Sequence, residues 1–68
     1  MTNKVQRTRL NRGMTVWGLA VLARMSNSTI VAVEKYGYVP LPHTQAKFAK
    51  ALGVKCEDLF PIRDKGST

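Results

Sequence analysis

Side chains able to do covalent or proton-transfer chemistry are few in this chain of 68 residues. There is one histidine, His43, one cysteine, Cys56, and four acidic residues, Glu34, Glu57, Asp58 and Asp64. General acid–base and nucleophilic catalysis need a base within hydrogen-bond reach of the group it activates. No carboxylate lies close to His43 in the sequence, and its place at the start of a helix suits a surface or capping role. Cys56 precedes Glu57-Asp58. It reads as a stand-in for a serine or threonine cap, with the two carboxylates complementing the helix dipole. One cysteine and one histidine cannot supply the clustered ligands of a metal site, and a single cysteine excludes an intramolecular disulfide. No catalytic residue, metal or cofactor is expected.

The remaining chemistry is that of binding. The net charge is +7, and residues 1–33 carry Lys4, Arg7, Arg9, Arg12 and Arg24 without a single acid. A domain half of one sign is the electrostatic footprint of a polyanion partner. The plain alternative is a generic basic surface of the kind that ribosome-associated or membrane-surface proteins carry. The longest apolar run, Val16 to Ala23, is far too short to span a bilayer, and no signal-type segment follows the basic N-terminus. A soluble cytoplasmic protein is the expectation.

Those groups must be positioned by short helices. Asn3 to Arg12 forms the first, stopped by Gly13; Thr15 caps a second, Val16 to about Ala23. Ser26 caps a third, Asn27 to about Tyr36, closed by Gly37. A fourth runs from about Pro42 to Leu52, ended by Gly53, and a last turn spans Cys56 to Phe60 before Pro61. No alternating strand pattern is present, so the fold class is all-α: a compact bundle of five short helices. A folded domain over residues 1–60 and a flexible tail over 61–68 follow. Leu19, Ala20, Ala23, Met25, Ile30 and Val33 converge at the Arg24-Met25-Ser26 connection. Two short helices meeting at such a corner give helix-turn-helix geometry. In that arrangement one helix braces on the sugar-phosphate backbone while the next lies in the major groove. Spacing alone allows a generic helical hairpin equally well.

The ordered series of residues resembles the Cro and phage-repressor (XRE-type, lambda-repressor-like) helix-turn-helix domains over about residues 3–60. Arg9, Gly13-Met14-Thr15 and Leu19-Ala20 match the opening of that family. Ser26, Ser28-Thr29-Ile30 and Glu34 match its recognition segment. Pro40, Phe48-Ala49-Lys50-Ala51-Leu52-Gly53-Val54 and Asp58-Leu59-Phe60 match its closing half. Three positions depart from it. Arg24 stands where the turn usually has glycine, at a modest cost if the backbone is left-handed there. Gly37 comes one residue late, and Thr8 replaces a large apolar residue. The resemblance implies an ion pair between Arg9 and Glu34. It also implies duplex DNA as partner and a role as a transcriptional regulator, with repression the expected output.

With Ile30 and Val33 inward, the helical period turns Asn27, Ser28, Val31, Ala32 and Lys35 outward. By the resemblance, the first four would face base edges. Asn pairs with adenine, Ser donates or accepts, and Val31 and Ala32 touch a thymine methyl or merely fill surface. Phosphate contacts are expected from Thr15 and Ser26 with the N–H groups they cap, and from Arg12, Arg24 and Lys35. Six such contacts would make affinity fall as roughly the fifth power of salt.

The second helix is apolar all round. Trp17, Val21 and Leu22 would lie opposite its buried side, and a small domain rarely exposes such a patch without a use. They are expected to form a protein contact, either a homodimer on DNA or a docking site, unless the tail or first helix covers them. The competing class is therefore a protein-interaction module, such as an antitoxin or adaptor. A nonspecific packaging protein fits the charge but leaves a formed recognition helix unused.

Overall fold

The computed structural model describes residues 3–61. Among them are five helices and no strand: α1 (Val5–Asn11), α2 (Val16–Ala23), α3 (Asn27–Lys35), α4 (Pro42–Leu52) and α5 (Cys56–Leu59). No single helix is long and apolar enough to cross a membrane. The tail expected over residues 61–68 lies, apart from Pro61, outside the described residues.

Helix starts follow local capping chemistry. Thr15 and Ser26 hold extended backbone. Thr15 Oγ1 accepts from the Gly18 N–H at 2.9 Å, and Ser26 Oγ from the Thr29 N–H at 3.2 Å. Each hydroxyl satisfies one donor that the first turn of a helix leaves unpaired. The cap packs closely on Gly18, since a Cβ there would lie 3.2 Å from Thr15 Oγ1.

Two starts differ from the sequence reading. α1 begins at Val5 because Asn3 lies outside it, accepting from the Val5 N–H through Oδ1 at 2.9 Å. The Asn3 amide also donates to the Val33 carbonyl at 2.9 Å, tying the entry of α1 to α3. Cys56 is not the cap of α5. Lys55 holds that position, and its N–H donates to Asp58 Oδ2 at 3.2 Å. Cys56 occupies the first helical position instead, half-buried against the core.

α1, α2 and α4 end in one shared lock. Gly13, Arg24 and Gly53 have φ of 68°, 57° and 70°. In each case the next residue's N–H reaches back five residues, to Arg9, Ala20 and Ala49 respectively, at 3.0 Å. This left-handed closure satisfies the orphan carbonyls of the last turn. The end of α3 is looser. Tyr36 stays at φ −108°, Gly37 turns at 69°, and the Tyr38 N–H reaches six residues back to the Ala32 carbonyl. That extra residue is the late glycine seen in the sequence.

Every helix contributes to one core, whose largest fully buried side chains are Val5, Leu19, Ile30, Val33, Phe48, Leu52 and Leu59. Burying each such side chain contributes about 1.5–3 kcal/mol before entropy is counted. α2 supplies Leu19, Ala20 and Ala23 and packs against both α3 and α4. The rings of Phe48 and Phe60 meet edge to face at 5.9 Å. The Lys4 N–H donates to the Leu59 carbonyl at 2.9 Å, closing the start of the chain onto α5.

Candidate nucleic-acid interface

α2 and α3 are bent 115° from each other across Arg24, Met25 and Ser26. Helix-turn-helix units fall at about 90–120° with a turn of this length. Arg24 makes the reversal in the left-handed region, and Met25 anchors it by packing on the core.

The attitude of α3 is set from behind by a buried ion pair. Arg9 Nε donates to Glu34 Oε2 at 2.8 Å and Nη2 donates to Oε1 at 3.0 Å. Its third nitrogen, Nη1, donates to the Met14 carbonyl at 2.7 Å. One guanidinium thus holds α1, the loop before α2 and the last turn of α3 together. The hydrogen bond to Glu34 raises the Arg9 pKa above its ordinary value, against the opposing effect of burial. Both side chains are almost wholly covered, at 8% and 2% exposure. Such a pair demands full satisfaction, because either charge alone would be stranded.

The opposite side of α3 is open. Asn27, Ser28 and Lys35 are exposed, while Val31 and Ala32 are half-buried at the margin of that face. The helical period alone had put all five outward. Glu34 is the one acid in α3, and its burial leaves the exposed surface of the helix without negative charge. Thr15 and Ser26 stand exposed at the starts of α2 and α3. Arg12, Arg24 and Lys35 are exposed as well, and the ion pair found among the described residues is that of Arg9 with Glu34. The first turns of α2 and α3, with Arg12 and Arg24 in the connections that lead into them, form a surface able to hold phosphate oxygens, while Lys35 adds a cation in the last turn of α3.

Trp17, Val21 and Leu22 on α2 are 70%, 62% and 58% exposed, and no described segment lies over them. A second apolar group was not foreseen: Tyr36, Tyr38, Val39 and Leu41 in the segment after α3 are all exposed. The sequence reading ended its third helix at about Tyr36, and Tyr38, Val39 and Leu41 lie outside any helical period, so no inward or outward face could be assigned to those three from sequence. The Gly37 turn and the two prolines, Pro40 and Pro42, were the available signal of an irregular, surface-lying segment.

No family model matches the sequence. Over 64 residues the chain is 39% identical to an uncharacterized HTH-type transcriptional regulator of Methanocaldococcus jannaschii, covering 94% of this chain and 97% of that protein. The chain belongs to the HTH-type transcriptional regulators. A second such regulator, uncharacterized and from Bacillus subtilis, is 32% identical over 65 residues, covering 96% of this chain and 98% of its own length. In both relatives the similarity runs over nearly the whole length of the two chains compared.

Proposed function

We propose that this regulator binds duplex DNA sequence-specifically, in the manner of the Cro and phage-repressor domains it resembles, laying α3 into the major groove. The observation that carries the proposal is the outer face of α3, free of acid and tied from behind to α1 by the buried Arg9–Glu34 pair. Asn27 and Ser28, in the first turn of α3, supply hydrogen bonds to base edges, with Val31 and Ala32 against thymine methyls. Thr15, Ser26, Arg12, Arg24 and Lys35 hold phosphates and fix register. Repression is the output this implies, since a bound domain excludes other proteins from the same duplex.

The test is selection from a random duplex pool at physiological salt, with a homogeneous sequence readout. Simple retention of DNA is no test, because any protein of charge +7 retains DNA at low salt. An enriched palindrome supports the proposal and gives the dimer geometry through its half-site spacing. Absence of any enriched sequence overturns it.

The exposed Trp17, Val21 and Leu22 favour a second reading, a protein contact through α2. It is compatible with the first, because α2 presents these side chains while α3 presents its own outer face.

A further inference from the structure

A groove of about 390 Å³ lies between the end of α2 and α4. Leu22, Ala23 and Ala51 line it with apolar surface, Arg24, Lys47 and Lys50 line it with charge, and no residue of α3 takes part. Arg24 is the only described non-glycine residue at positive φ, in a closure that uses glycine at Gly13 and Gly53. Lys47 and Lys50 lie three apart on an α4 that contains no acid, so two like charges line the groove with no carboxylate on their own helix. The apolar lining also continues outward: Leu22 adjoins Val21, and Trp17, Val21 and Arg24 follow one another at helical spacing along α2.

We propose that this groove and the exposed stripe of α2 are a docking surface for an acidic amphipathic segment of a partner protein. Its apolar side chains would cover Trp17, Val21 and Leu22, and its carboxylates would meet Lys47 and Lys50, neither of which the DNA reading uses. The proposal rests on the α2 contact of the second reading, not on DNA binding by α3, and it adds the chemistry of the partner. A nucleic acid backbone satisfies the cations of the groove but offers nothing to cover the apolar stripe. A second copy is the wrong charge. Of the described acids, Glu34 is buried against Arg9 and Asp58 accepts from the Lys55 N–H, which leaves Glu57 alone.

Short random peptides displayed against the full chain at physiological salt test this, panned in parallel on the wild type and on Lys47→Gln/Lys50→Gln. Both lysines are exposed on α4, and glutamine keeps the helix. The expected result is enrichment of peptides that alternate Asp or Glu with Leu, Phe or Trp at helical spacing. A synthetic representative should weaken about tenfold on the double variant, and similarly on Leu22→Ser. No enrichment, enriched peptides without acids, or equal binding to both variants overturns the proposal. So does a double variant that loses about tenfold in affinity for the selected duplex while no acidic peptide binds, which would make the groove a phosphate site. A dimer in sedimentation that disappears in the double variant, with no acidic peptide enriched, would assign the surface to a second copy instead. Failure of the duplex selection itself bears on α3 and leaves the peptide result standing.

Discussion

Arg9 and Glu34 show how much one contact can carry in a small domain. Three donors of a single guanidinium are used, two on Glu34 and one on the Met14 carbonyl. Removing either partner strands the other in the interior, and Arg9→Ala or Glu34→Gln should cost about 3–5 kcal/mol in urea unfolding. Arg9→Met with Glu34→Leu should recover most of that loss, because a matched apolar pair leaves no buried charge. What stays lost is the Met14 carbonyl's donor, about 1–3 kcal/mol. Because the folded state raises the Arg9 pKa, its share of stability is fully present below the ordinary arginine value and is lost as pH rises from there through the raised one. Arg9 itself therefore adds no pH dependence near neutrality. Arg24 makes the opposite case. At φ 57° it occupies a closure that glycine fills without strain, so Arg24→Gly should raise stability by about 1 kcal/mol. Gly13→Ala and Gly53→Ala should lower it by a similar amount. A Cβ at either glycine meets no atom within 4 Å, so these variants measure backbone strain alone. Equal melting temperatures for Arg24→Gly and wild type would show that the turn carries no strain.

At the scale of elements, the parts legible in the sequence were those decided by neighbours a few residues away. Thr15, Ser26, Pro42 and Gly53 act within one turn of themselves, so the starts of α2, α3 and α4 and the end of α4 could be placed. Asn3 could not, because its amide answers to a carbonyl 30 residues distant. Cys56 read as the cap of α5 and Asp58 as a charge for its dipole, and only the backbone path makes Lys55 the cap, with its N–H donating to Asp58 Oδ2. The outer face of α3 was legible in part. A period of 3.6 residues places Asn27, Ser28 and Lys35 in solvent, but it turns Val31 and Ala32 outward as well, where the fold leaves them half-buried. Those differences set distinct expectations for α3. Asn27→Ala should relax preference at one base position, worth about 1–3 kcal/mol of discrimination. Lys35→Ala should weaken all sequences alike and reduce the slope of log affinity against log salt by about 1. Titrating both variants against the selected duplex and a scrambled one separates the two effects.

The whole molecule divides its surface between two chemistries. Charge is gathered where acid is absent, and apolar area is left on α2, which the core needs on one side only. Since Leu19, Ala20 and Ala23 face inward, a polar residue at Trp17 or Val21 would cost the fold nothing, and it would raise solubility. Their exposure in a domain with so little interior points to a partner rather than to stability. Trp17 is 70% exposed, so Trp17→Ala should leave the unfolding midpoint within about 0.5 kcal/mol of wild type. It should change association instead. If α2 joins two copies on paired half-sites, the variant should bind a single half-site as before and lose cooperativity on the full site. If α2 receives another protein, duplex affinity should be unchanged in every format and binding of the acidic peptide should fall. Sedimentation of the free protein and titration of half-site and full-site duplexes distinguish these cases. A Trp17→Ala protein that matches wild type in mass, in cooperativity and in peptide affinity would leave the apolar face of α2 without a role in recognition.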